Sequence, residues 1–155
     1  MRPRLTLGLF CLACAAALGA VWLHTGAPAG EPPQLTVTCR GQAVTAWRGT
    51  HSWHRTDLFG AGEGTASDSP HPLDVLEELP VLEADPGEPV LLSFPVRPDD
   101  ITTERFALEG LETEQLTLES GNVLIPPERD SVYVVNARWE GLFGGGNAVY
   151  AFRLS

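Results

Sequence analysis

After residue 34 the chain is dominated by short runs in which apolar residues fall at every second position, separated by turn residues. A strand sends successive side chains to opposite faces, so this period of two predicts strands that bury one side. Residues 35–39 place Leu35, Val37 and Cys39 together, Arg40-Gly41-Gln42 turns the chain, and residues 43–47 return. Residues 49–55 follow, with Trp53 as their large apolar side chain. Residues 81–84 lead into Asp85-Pro86-Gly87-Glu88, where proline second and glycine third fit a type II turn. Residues 90–94 and 101–108 are further strands. Ser120-Gly121-Asn122 predicts a hairpin turn between Leu116, Leu118 and a return at 123–125. The longest strand, residues 131–140, lines up Tyr133, Val135, Ala137 and Trp139 on one face. Residues 148–154 close the chain with Tyr150, Phe152 and Leu154 aligned.

The alternation lapses in three places. Residues 60–72 are Gly, Ser, Asp and Pro and read as a loop. Residues 72–79 step Leu73, Leu76 and Leu79 by three behind a leading Pro72, the spacing of one or two helical turns. Gly144-Gly145-Gly146 reads as a flexible loop between strands. The expected fold is all-β, an immunoglobulin-like β-sandwich of about eight strands with one short helical insert. Strands do not alternate with long helices, which argues against a parallel α/β sheet.

The amino terminus follows a different pattern. Arg2 and Arg4 precede an uncharged run from Leu5 to Leu23, close to the roughly 20 residues that a helix needs to cross a bilayer. Arginines before such a run stay in the cytoplasm, so the rest of the chain would lie outside. Three fates fit: an uncleaved signal-anchor helix, a signal peptide cut after Ala17 or Ala29, or a lipoprotein leader at Cys14. Residues 1–26 are accordingly read as signal peptide or anchor, 27–34 as a proline-rich linker, and 35–155 as the sandwich. The location expected is the cell membrane, single-pass with the domain outside, or the exterior after cleavage.

Charge sharpens this picture. The chain carries −10 over 155 residues. Without Arg2 and Arg4 the remainder holds eight Arg against twenty acids, a charge of −12. Such a surface offers nucleic acid no electrostatic footprint. There is no Lys, which excludes Schiff-base chemistry and a P-loop lysine. Cys11 and Cys14 fall in the apolar run, so Cys39 is alone in the domain and is expected in the core rather than in an internal disulfide.

Few residues suggest chemistry. His51, His54 and His71, with Asp68, Asp74 and Asp57 nearby in sequence, supply imidazoles and carboxylates suited to zinc, and the acids alone could serve calcium. His51 and His54 are three apart, however, and on a strand they point to opposite faces. No Gly-x-Ser-x-Gly elbow is present, and no base is readable beside Cys39. No cofactor is expected. Trp47, Trp53, Tyr133, Trp139, Tyr150 and Phe152 are expected in the core. An aromatic left exposed near the loops would instead offer a sugar-stacking or protein-docking patch.

Five segments together resemble a known pattern. They are Gly49-Thr50-His51-Ser52-Trp53, the stretch from Asp68 to Leu73, Pro86-Gly87, Tyr133-Val134-Val135-Asn136-Ala137-Arg138-Trp139, and Tyr150-Ala151-Phe152. The string resembles a functionally uncharacterised family of small extracytoplasmic β-sandwich domains of Gram-positive bacteria, secreted, anchored or lipid-modified. The likeness spans about residues 35–155, with His51 where the pattern more often has Tyr. It implies an external location and a sandwich fold, and no catalytic residue. The function expected is a noncatalytic interaction or ligand-sensing module, with another envelope protein or a glycan as partner and the membrane engaged through the N-terminal helix. A divalent-cation-binding domain is the alternative, and a cell-envelope hydrolase the second alternative.

Overall fold

The computed structural model describes residues 30–56, 61–108, 112–141 and 144–155. The apolar run, its two arginines, Cys11, Cys14 and Asp57 lie outside the described residues. Among the described residues no helix is long and apolar enough to cross a membrane.

The chain is all-β, in two sheets. Four strands form the smaller: β1 (Thr36–Cys39), β2 (Gln42–Thr45), β6 (Val90–Ser93) and β9 (Val123–Leu124), ordered β2-β1-β6-β9. The larger is ordered β4-β3-β11-β10-β7-β8. Its strands are β3 (Trp47–Thr56), β4 (Gly62–Ser67), β7 (Asp100–Ala107), β8 (Thr113–Leu116), β10 (Ser131–Trp139) and β11 (Gly144–Leu154). The short β5 (Val81–Leu82) runs parallel to the end of β11, and the other pairings are antiparallel. This arrangement is consistent with a β-sandwich.

The period of two sets what lies between the sheets. Val37, Leu92 and Leu124 meet Tyr133, Val135, Trp139, Tyr150 and Phe152 in one continuous core. Burying such side chains contributes roughly 1.5–3 kcal/mol each. Cys39 joins them at 2% exposure, as its place beside Leu35 and Val37 predicts. Burial pushes its thiol pKa up, and the nearby Glu88 carboxylate adds to the shift.

Among the described residues eleven strands stand where about eight are expected, and the differences have physical reasons. β4 occupies the stretch read as a loop. All six of its residues are exposed, so neither face carries an apolar signature, yet its backbone pairs with β3 from His51↔Ser67 to Thr56↔Gly62. β8 likewise pairs through its backbone with β7, and three of its four side chains are exposed. The triple glycine is not a loop either, since β11 begins at Gly144. A β-carbon on Gly145 would lie 2.4 Å from the Trp139 carbonyl oxygen, and one on Gly146 2.0 Å from that of Ser52. The glycines let three backbones close up where side chains would hold them apart.

The helical insert is a single 3-10 turn, Pro72–Val75, followed by turns. Its leucines serve a second purpose. Leu73, Leu76 and Leu79 cover Val132, Val134 and Ala151 on the outer face of the large sheet. The first turn is tighter than expected, Arg40-Gly41 with Gln42 already in β2, while the Pro86-Gly87 turn forms as predicted, Gly87 with φ +81° and Glu88 N–H donating to Asp85 (3.0 Å). At Ser120-Gly121, Glu119 and Val123 exchange two backbone hydrogen bonds (2.7 and 2.9 Å). Residues 30–34, within the stretch read as linker, are tied to the domain. Arg48 donates to the Pro32 carbonyl (3.0 Å) and pairs with Glu31 (2.5 Å). Gln34 donates to Ala46 (2.7 Å), and Tyr150 Oη donates to Pro33.

Candidate functional site

The chain between β8 and β9 crosses from the large sheet to the small one, bridging the sandwich along the side where those strands are the outermost. A groove of about 730 Å³ opens there. Its walls come from the end of β6 with the connection into the start of β7, the end of β8 with residues 117–118, and the 120–122 turn. Small-molecule pockets span about 300–1,000 Å³, so the groove is of ligand size.

Phe94 is the aromatic residue of the groove lining. It follows β6, is half-buried, and meets Trp139 edge-on (5.3 Å, 83°) and Tyr150 obliquely (5.4 Å, 66°). Trp139 is itself held. Its indole N–H donates to the Val96 carbonyl (3.0 Å), and Trp53 packs against it at 5.5 Å. Fixed neighbours therefore set the plane of the Phe94 ring. Arg97 reaches over the turn, with Nη2 3.8 Å from where a β-carbon on Gly121 would sit. Asp99 is committed to the scaffold: its carboxylate accepts from the Glu140 N–H (2.6 Å), and its own N–H donates to Arg138 (2.8 Å). Asn122 anchors the turn to β6 through the Leu92 amide (2.9 Å) and carbonyl (3.4 Å). Asp100 and Gln115 line the groove as exposed carboxylate and amide groups.

Among the described residues the metal-ligand candidates do not converge. His51 and His54 sit three apart on the continuous β3, which sends them to opposite faces. His51 Nδ1 is 3.1 Å from the Gly49 carbonyl. His71 caps the 3-10 turn, its Nδ1 accepting from the Leu73 N–H (3.3 Å), and its ring meets Phe106 edge-on. Asp68 and Asp74 are exposed, one after β4 and the other in the 3-10 turn. Among the described residues no three His, Cys, Asp or Glu side chains gather.

A buried charge elsewhere supports the fold. Arg105, 5% exposed, pairs with Glu128 (2.7 Å) and Glu114 (3.2 Å). Burial works against its charge, and the two carboxylates more than offset that cost. Tyr133 Oη donates to the Glu128 carbonyl (3.4 Å), so the same loop is held twice. Burial pushes the Tyr133 phenol up to about 12, with Arg105 opposing, and pushes Tyr150 up further, with Arg48 opposing.

The six aromatics assigned to the core by pattern are buried, except Trp47, which packs half-buried on the outer cluster. Phe94, Arg97 and Gln115 were not foreseen as site residues. Phe94 and Arg97 carry one sequence mark, proline-bearing chain directly after an apolar run, and Gln115, set among acidic and threonine residues, carries none. No protein-family model, no curated protein and no solved structure matches this chain.

Proposed function

We propose that this chain is an extracytoplasmic, noncatalytic ligand-binding module, built on an immunoglobulin-like sandwich and led to the membrane by its N-terminal apolar run. The groove beside Phe94 carries the reading: a ligand-sized cleft with an oriented aromatic ring and polar walls. The groove lining holds neither histidine nor cysteine. The two histidines with ring-nitrogen contacts engage the Gly49 and Leu73 backbones, and the Cys39 thiol is buried with its pKa raised.

Strand order supports the immunoglobulin-like assignment. β7, β8, β10 and β11 stand where C, C′, F and G do, and β1, β6 and β9 where A, B and E do. β5 joins the last strand in parallel, leaving β2–β4 as an insertion. Tyr133, near the start of β10, bonds back to a carbonyl five residues upstream, the arrangement called a tyrosine corner. The external location rests on Arg2 and Arg4 before the apolar run, on the charge of −12 beyond it, and on the resemblance to extracytoplasmic domains.

Two measurements test this. Protease added to intact cells stripped of their wall digests the domain, and protection of residues 31–155 overturns the external location. A photo-cross-linking residue at Thr117, on the groove wall, captures a specific molecule on those cells, while one at Glu77 on the insert does not. Equal or absent capture from both positions overturns the module.

A further inference from the structure

We infer that the groove binds a neutral, linear oligosaccharide, with a sugar ring lying on Phe94. This rests on the reading of the domain as a ligand-binding module and names the class of its ligand. Three observations carry it.

The first is the ring. Phe94 is half-buried, lines the groove, and is fixed by Trp139 and Tyr150. A pyranose presents a face of C–H bonds, which suits an aromatic face already held in place. The second is the lining. Gln115 and Asn122 carry amides, Thr117 and Ser120 hydroxyls, and Arg97 a guanidinium that makes no ion pair or hydrogen bond among the described residues. Sugar hydroxyls both donate and accept, and planar amide and guanidinium groups address two neighbouring hydroxyls at once. The third is charge. Asp99 and Asp100 line the groove of an acidic domain, which disfavours a polyanion. The groove volume, about 730 Å³, leaves room for more than one ring.

Saturation-transfer NMR on the full chain in detergent micelles tests the inference. The probes are neutral β-linked tetramers of glucose and of N-acetylglucosamine, with a galacturonate tetramer as the anionic contrast. At least one neutral tetramer is expected to bind and the anionic one to fail. Arg97→Ala and Gln115→Ala, both at exposed positions, are expected to weaken binding about tenfold and about fivefold without changing Tm. Phe94→Leu keeps an apolar side chain and removes the flat face, and is expected to lose about tenfold. No binding of either neutral tetramer at millimolar concentration overturns the inference, as does binding indifferent to both Arg97→Ala and Gln115→Ala, or preference for galacturonate. The Thr117 cross-linker separates the two levels of the claim. Specific capture of a protein, with no saccharide bound, overturns the sugar and leaves the module standing. No capture and no saccharide overturns both.

Discussion

The two sheets treat their outer faces in opposite ways. On the large sheet Val132, Val134 and Ala151 point away from the sandwich core, and the insert lays Leu73, Leu76 and Leu79 over them. On the small sheet, register puts Thr36, Thr38, Ala43, Thr45, Leu91, Ser93 and Val123 on the outside, with nothing charged among them. No described element covers that face, and Leu91 is 40% exposed. The difference lies in composition. The run Val132-Tyr133-Val134-Val135 is apolar on both faces, so it requires a second cover, whereas threonine and serine satisfy their hydroxyls in water. An apolar run without alternation thus announces an extra layer.

Substitutions order themselves along this comparison. Trp139→Ala removes the ring between Trp53 and Phe94 and is expected to cost about 3–5 kcal/mol or prevent folding. Its neighbour Arg138→Ala, on the outer face and paired with Glu140, is expected to stay within about 0.5 kcal/mol. Equal small losses in urea melts would show that the β10 faces are misassigned. Leu79→Ala opens the covered outer face and is expected to cost about 2–3 kcal/mol. Leu91→Ala, on the bare outer face, is expected to cost well under 1 kcal/mol. Matching values for the two leucines would erase the distinction between the faces.

Alkali probes the interior common to both sheets. Tyr133 and Tyr150 have phenols raised above the ordinary value of 10, so above pH 10 the unfolded chain releases protons that the folded chain retains. Stability is therefore full below pH 10 and falls as pH rises toward 12. Each tyrosine contributes up to about 1.4 kcal/mol per pH unit. Tyr133→Phe is expected to flatten that slope in melts from pH 9 to 12, and an unchanged slope would place the phenol in water. The smallest effect expected is from metal. Zinc, calcium and a chelator should each leave Tm unmoved, since His51 and His54 face opposite ways, and a rise of several degrees would reveal a native-state site.

Much of this was legible where backbone and side-chain demands coincide. Tyr133, Val135, Ala137 and Trp139 announce β10 because alternate burial repeats along the strand, and Pro86-Gly87 announces its turn because both residues suit the dihedrals. Cys39 was readable from its neighbours Leu35 and Val37. β4 was not, because a strand exposed on both faces is specified by backbone pairing with β3 and leaves no apolar period in Gly62–Ser67. The glycines at 144–146 signal freedom when read alone, and the need for close approach appears only once Ser52 and Trp139 are beside them. The groove was illegible for a related reason. Phe94, Gln115 and Asn122 come from separate segments and converge through sheet pairing, which no local spacing records.

The anchoring of residues 30–34 has a mechanical consequence. Tension applied to the chain upstream of Gly30 does not reach β1 first. It meets the Thr65 bond to Gly30, the Arg48 grip on Glu31 and Pro32, and the Tyr150 bond to Pro33. Thr65 lies on the edge strand β4, but Arg48 and Tyr150 belong to β3 and β11, interior strands of the large sheet, so those two clamps lead force into its better-supported middle. The β1–β2 hairpin, which could otherwise peel away strand by strand, stays slack until those clamps let go. The chain thus carries a strain relief at its entrance, and a pull from that end must shear side-chain bonds before it can unzip a sheet.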